Sequence, residues 1–300
     1  MSLTSDSELT SDEGPVERAE PPQSVAEDSH GPEFHSVRVQ GHEIGLSVRS
    51  GDRSQPPLVL CNGIGASLKA LAPLVDALRT GREVIRFDVP GTGSSPAPVI
   101  PYSMAWMAHI LGELLDRLGH DRADVLGYSW GGALAQQFAL QNPVRCRKVV
   151  LLCTMTGVIG FPGQLQALSR MVTPRRHRDG RYAERVAGRL YGGTMRTRPG
   201  PAGKALGART RAASRRGYLY QLMAGAGWTS TPFLPLMRQR TLILAGDDDP
   251  IIPVRNGRMM KMLLPHATLR VLPGGHLDPL THPAPWARLI DAFLDSERSR

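Results

Sequence analysis

From residue 34 onward, apolar positions recur with two different periods. "FHSVRVQGHEIGLSVRSG" alternates apolar and polar side chains on either side of Gln40-Gly41. A period of two interrupted by such a dipeptide predicts a β-hairpin. Short apolar runs follow at 57–62, 83–88, 123–128, 147–153, 240–246 and 268–273. Their continuity predicts strands buried on both faces. Between them lie helical stretches at 67–79, 104–119, 131–141, 254–264 and 283–297. Strands alternating with helices predict an α/β fold, a mostly parallel sheet with helices on both faces.

The rhythm breaks over 155–237, which is rich in Gly, Pro and Arg and offers helical stretches such as "GQLQALSRMV" and "RYAERVAGRL" but no clear strand. We read it as a helical cap inserted between the two parts of the core, 34–154 and 238–300. Ligands of open α/β sheets bind at the carboxyl ends of the strands, so an insertion after the strand ending at Cys153 overhangs that edge. Residues 1–33 are Ser, Glu, Asp and Pro with few large apolar groups. Such a segment cannot bury enough surface to offset its ordering entropy, so an acidic, disordered extension is expected.

Charge and cysteine usage narrow the class. The net charge is +9; residues 1–34 hold nine acids against one base, which leaves +17 on the remainder. A basic body raises the question of nucleic acid. No nucleic-acid-binding motif accompanies it, so an arginine-rich solvated surface and no nucleic-acid partner are expected. No apolar run approaches the ~18 residues of a membrane span. The N-terminus lacks a basic segment followed by an apolar one, so no secretory leader is expected. Cys61, Cys146 and Cys153 have no metal-ligand spacing, and an odd, sparse set suits reduced thiols in a cytoplasmic protein.

The chemistry starts at "GYSWGG", 127–132, which fits G-x-S-x-G between a predicted strand and a predicted helix. Such a strand-to-helix turn lifts the serine side chain clear of the sheet at a helix N-terminus. Ser129 is therefore the candidate nucleophile. A serine hydroxyl needs a base, and in this arrangement the partners follow in the order Ser, acid, His. "LILAGDDDPIIP" offers three acids after a late strand; we select Asp249, with Asp247 and Asp248 capping the turn or facing water. "VLPGGHLDPL" places His276 in the loop after the last strand. Oxyanion donors are expected at the backbone N–H of Trp130, after the nucleophile, and of Ile64, in the Gly-rich loop "NGIG". Asp88, in "FDVPGTGSSP", precedes the serine and is read as structural.

These residues resemble the α/β-hydrolase superfamily. More closely, "CNGIGASL", "FDVPGTGSS", "SWGGALAQQFA", "TPRRH", "LYGG", "AGWTS" and "LAGDDDPIIP" are similar to intracellular poly(3-hydroxyalkanoate) depolymerases of the medium-chain-length type. The similarity spans roughly 35–298. It implies a granule-associated serine hydrolase with Ser129, Asp249 and His276 as triad, stored polyester as substrate, and no metal or organic cofactor. Two stretches depart from the family pattern, the acidic extension and "GGHLDPLTHP". A docking face is expected on the cap from "GVIGFPG", Leu165, Leu168 and Met171, flanked by Arg175, Arg176 and Arg178. A small-molecule carboxylesterase or a carbon–carbon bond hydrolase of the same fold is the alternative enzyme. A catalytically idle ligand-binding copy is the alternative outside enzymes.

Overall fold

The structure is a computed structural model of the chain and describes residues 33–205 and 213–296. Its framework is an eight-stranded sheet, β1 (Glu33–Val39), β2 (His42–Arg49), β3 (Leu58–Cys61), β4 (Val84–Phe87), β5 (Ala123–Tyr128), β6 (Cys146–Leu152), β7 (Arg240–Gly246) and β8 (Ala267–Leu272). The order is β1-β2-β4-β3-β5-β6-β7-β8. Only the β1–β2 and β2–β4 pairings are antiparallel; the others are parallel. The hairpin turns at Gln40 (φ 46°) and Gly41 (φ 77°), two successive left-handed residues whose twist matches that of the flanking strands. The expectation of disorder over 1–33 lies outside the described residues except for Glu33, which opens β1.

Eleven α-helices are described. They are α1 (Ala72–Ala77), α2 (Met104–Arg117), α3 (Trp130–Gln141), α4 (Leu165–Met171), α5 (Arg175–Arg178), α6 (Gly180–Tyr191), α7 (Pro201–Ala205), α8 (Arg215–Ala226), α9 (Val254–Leu263), α10 (Asp278–Thr281) and α11 (Ala284–Asp295). Every residue of β3, β4 and β5 is buried, as continuous apolar runs require. Alternate strand residues feed two cores. Val59, Val125 and Val149 pack with Ile110, Leu111, Leu134 and Phe138 of α2 and α3. Leu60, Leu126 and Val150 pack with Leu74 of α1 and Trp286 and Ile290 of α11 on the other face. The helix expected over 67–79 is shorter: a 3-10 turn, Leu68–Leu71, gives way to α1. Pro73 marks that change, because it has no N–H to continue the ladder from the preceding turn.

Between β6 and β7, α4 to α8 form a helical insertion whose described residues contribute no strand to the sheet. At the opposite, amino-terminal end of β5 lies a buried ion pair. Asp124 accepts from Arg82 Nη1 at 2.8 Å and from Arg147 Nε at 2.8 Å. Arg82 and Asp124 are both almost fully enclosed. Removing one member leaves a charge without its counter-ion in a low-dielectric site. Asp295 also contacts Arg82 at 3.0 Å but is largely exposed, so it compensates little. Asp124→Ala is expected to cost about 3 kcal/mol of stability, read as a lower urea midpoint with unchanged slope.

Candidate active site

Ser129 sits where β5 ends and α3 begins, with φ 54° and ψ −119°. A non-glycine residue in that region stores about 1–3 kcal/mol and persists only where its surroundings over-determine it. Here they do. The Ser129 N–H donates to Leu152 O at 2.9 Å. Its carbonyl accepts from Gly132 N–H at 2.9 Å and from Thr154 Oγ1 at 2.7 Å. The turn also demands glycine on both sides. A Cβ at Gly127 would stand 2.4 Å from Gly131 O, and one at Gly131 would stand 2.1 Å from Cys61 O. The two fixed glycines of the motif are therefore contact surfaces between α3, β5 and the end of β3.

The expected partners converge on this serine. His276 Nε2 lies 3.0 Å from Ser129 Oγ, and His276 Nδ1 lies 2.7 Å from Asp249 Oδ2. Asp249 Oδ1 accepts the N–H groups of Ile251 and Ile252, each at 2.9 Å. Both carboxylate oxygens thus act as acceptors. Nδ1 must then carry the ring proton, which leaves Nε2 free to accept from the serine hydroxyl. All three side chains are buried; His276 is 3% exposed and Ser129 7%.

Sequence reasoning missed the groups that hold this relay in place. Tyr128, beside the serine, donates its hydroxyl to His276 O at 2.7 Å, and the two rings pack 5.3 Å apart. From the insertion, Tyr191 O accepts the His276 N–H at 2.7 Å. Asp248 accepts from Gly193 N–H at 2.7 Å and pairs with Arg196 through both of its oxygens. That contact, together with the hydrogen bond from Gly193, holds the Asp248 carboxyl below the usual carboxylate range, although burial works against it. Asp247 Oδ1 caps Gly274 N–H at 2.9 Å. Asp278 accepts from Gly275 N–H at 2.6 Å and from Thr194 Oγ1 at 2.6 Å. The loops carrying Asp249 and His276 are therefore fastened to each other and to the insertion just after α6. The x of G-x-S was the one available signal for Tyr128; the insertion contacts are long-range and left none.

The loop after β3 offers the expected donor. Gly63 N–H is taken by Asn62 Oδ1 at 2.9 Å and Gly65 N–H by Gln221 Oε1 at 2.8 Å. The Ile64 N–H between them meets no acceptor among the described residues. Trp130 is the first residue of α3, whose N–H has no partner within the helix. Gln221, from α8, also accepts from Trp130 Nε1 through its carbonyl at 2.9 Å, so one buried residue ties both donor loops together. Asp88 stays apart from His276. It accepts from Leu68 N–H at 2.7 Å and Ser94 N–H at 2.9 Å, and burial raises its carboxyl above the ordinary value. Its role is structural, as its place ahead of the serine implies.

A cavity of about 30 Å³ adjoins Ser129, lined by Gly63, Ile64, Met171, Arg176, Tyr191 and His276 among others. Arg176 was expected on the surface with Arg175 and Arg178; it is 1% exposed and faces this cavity instead. The reason is local: α5 is a single turn, so Arg176 and His177 point inward while Arg175 and Arg178 point out. No group of three or more His, Cys, Asp or Glu side chains among the described residues is placed to hold a metal ion.

Comparison with known proteins agrees with this architecture. Residues 56–283 match the family model described as the alpha/beta hydrolase fold. The poly(3-hydroxyalkanoate) depolymerase of Ectopseudomonas oleovorans is 41% identical over 267 residues, covering 89% of this chain and 94% of that protein. The crystal structure of a hydrolase from Pseudomonas aeruginosa PA01 superposes with a TM-score of 0.72 at 26% identity, over 90% of this chain and all of that one. The enol-lactonase of Burkholderia xenovorans LB400 shares the fold with a TM-score of 0.74 at 24% identity, over 87% of this chain and 100% of that one. An eight-stranded, mostly parallel sheet, a left-handed serine after β5 and a match over most of its length identify the chain as a member of the α/β-hydrolase fold family that resembles the poly(3-hydroxyalkanoate) depolymerases.

Proposed function

We propose that this chain hydrolyses the ester bonds of poly(3-hydroxyalkanoate) through an acyl-enzyme on Ser129. The observation that carries the reading is the relay from Ser129 Oγ to His276 Nε2 at 3.0 Å and from His276 Nδ1 to Asp249 at 2.7 Å. Ser129 Oγ attacks the ester carbonyl while His276 Nε2 takes its proton. Asp249 holds the His276 tautomer and stabilises the imidazolium. The N–H groups of Ile64 and Trp130 receive the oxyanion, and neither has another acceptor to give up. His276 then protonates the leaving alcohol. Water, activated by the same nitrogen, releases the acid. None of these steps calls on a metal or an organic cofactor.

The 41% identity to a relative named for polyester hydrolysis supports the polymer as substrate. The insertion, as a cap over 155–237, supports a second part of the reading, docking on a granule. Val158, Ile159, Phe161, Leu165 and Leu168 are exposed, with Leu165 81% accessible. Of the expected docking residues, Met171 and the flanking Arg176 line the cavity instead. Arg175 and Arg178, in the turn that follows α4, are exposed and suit a surface that carries anionic groups. Among the described residues no helix is long and apolar enough to cross a membrane. Replacing Phe161 and Leu165 together by Ser is expected to weaken co-sedimentation with polyester granules about tenfold or more, from the lost burial of two large side chains. Turnover of p-nitrophenyl butyrate should hold, and unchanged co-sedimentation would remove the docking face.

The deciding experiment compares emulsified medium-chain polyhydroxyalkanoate with p-nitrophenyl esters of rising acyl length. Ser129-dependent release of 3-hydroxy acids from the polymer is the expected result. Cleavage of the small esters alone would return the chain to the carboxylesterases of its fold.

A further inference from the structure

A guanidinium buried beside a nucleophile needs a counter-charge. Arg176 is 1% exposed and has no ion-pair partner among the described residues. Its Nη1 donates to Thr173 O at 3.2 Å and to the Tyr218 hydroxyl at 3.0 Å, and the group stands 5.6 Å from the Tyr218 ring centroid. Neutral oxygens and a ring face soften the cost of burial but do not cancel the charge. The same cavity is lined by the Tyr191 side chain, 1% exposed, whose hydroxyl has the Arg176 guanidinium as its polar neighbour and no carboxylate or carbonyl acceptor among the described residues. Burial raises the Tyr191 phenol, with Arg176 working against that rise, so Tyr191 stays protonated and able to donate. A cation without a counter-ion and a phenol whose proton has no acceptor among the described residues therefore line one cavity with Ser129 and His276. Among the described residues no carboxylate stands within ion-pair distance of Arg176; Asp248 and Asp278, which flank the relay in sequence, are engaged by Arg196, Gly193, Thr194 and Gly275.

The geometry points to Arg176, with Tyr191, as the receptor for the free carboxylate at the end of a polyester chain. The inference rests on the ester-hydrolase reading above and adds a direction of attack. In such a polymer the terminal carboxylate belongs to the last 3-hydroxyacyl unit, one methylene and one methine away from the ester oxygen that joins it to its neighbour. A carboxylate on Arg176 brings that last ester to Ser129. Ser129 Oγ bonds to the carbonyl carbon of the penultimate unit, and the bond to the ester oxygen breaks. His276 delivers the serine's proton to that oxygen, and the terminal unit leaves as a 3-hydroxy acid with its carboxylate unchanged. Water then splits the acyl-enzyme, and the shortened chain ends in a new carboxylate. The enzyme is thus exo-acting from the carboxyl end.

The test uses a dimer of 3-hydroxyoctanoate as the free acid and the same dimer capped as its primary amide. The full-length protein is assayed at neutral pH for cleavage of the internal ester. We expect the wild type to favour the free acid about tenfold to hundredfold in kcat/KM, the range of a charge-assisted bidentate contact. In Arg176→Gln that ratio should fall toward one; in Arg176→Lys, which keeps the charge but not the fork, it should fall part of the way. Equal cleavage of both dimers by the wild type would overturn the carboxylate site and leave the hydrolase reading standing. A wild type that cleaves p-nitrophenyl esters but neither dimer would remove the polyester reading and this inference with it. If Arg176→Gln does not fold, the wild-type ratio and the Lys variant decide.

Discussion

Ser129→Ala is expected to lower kcat on p-nitrophenyl esters by about 10⁶-fold, the scale of removing a nucleophile from a unit that acts together. The Ser129 side chain makes one hydrogen bond, to His276. Its backbone bonds to Leu152, Gly132 and Thr154 involve atoms that alanine retains. The left-handed conformation is no worse for alanine than for serine, because both carry a Cβ. The fold should therefore survive, with a thermal midpoint within a few degrees of wild type, and the loss can be assigned to chemistry. The proposed oxyanion donors, Ile64 and Trp130, persist in the variant, so a small rate above water should remain. A fluorophosphonate should label the wild type and leave the variant untouched. A variant that kept its turnover would overturn the mechanism at its first step.

Asp249→Asn should cost about 10⁴-fold in kcat. The structure says why an isosteric change is so damaging. Oδ1 accepts two backbone N–H groups, from Ile251 and Ile252. An asparagine must place its carbonyl oxygen there, since its NH₂ cannot accept. The NH₂ then faces His276 Nδ1 across the 2.7 Å contact. Nδ1 becomes the acceptor, the ring proton moves to Nε2, and Nε2 donates to Ser129 Oγ where it should accept. The geometry is preserved while the direction of proton transfer is reversed. Asp249→Ala, by contrast, frees the ring to choose its tautomer. It should therefore lose less activity than the isosteric variant, although it gives up more contacts. Paired rates for the two variants check this ordering, and near-equal rates would place the role of Asp249 in packing alone.

The helices after β6 shape how these rates are reached. Tyr191 anchors the His276 loop, Arg196 anchors Asp248, and Gln221 anchors both donor loops. The contacts that position the relay thus come from the insertion as well as from the sheet.

Much of this was legible along the chain. Continuous apolar runs specified β3 to β7 to within a residue or two, because strands buried on both faces need no polar alternation; β8 was placed as well, but as the edge strand it leaves Thr268, Arg270 and Val271 exposed, against the expectation of burial on both faces. The hairpin followed from a period of two around Gln40-Gly41. Ser129, Asp249 and His276 were readable because each lies at the end of a strand, where local glycines and element order mark the position. Ile64 and Trp130 were proposed as oxyanion donors on the same kind of signal. The structure alone decided what no local pattern encodes. The roles of Tyr128, Tyr191, Gln221 and Asp248 are contacts between segments far apart in sequence, and nothing near any of them announces its partner. Arg176 was the sharpest case. Its neighbours Arg175 and Arg178 made it look like one more surface charge, and only the packing of a single helical turn against Tyr218 sends its guanidinium inside. Secondary structure and the relay are written in short-range periodicity and in strand ends. The cavity's charge is set by which way one side chain turns once distant helices have packed, and that is a property of the tertiary structure.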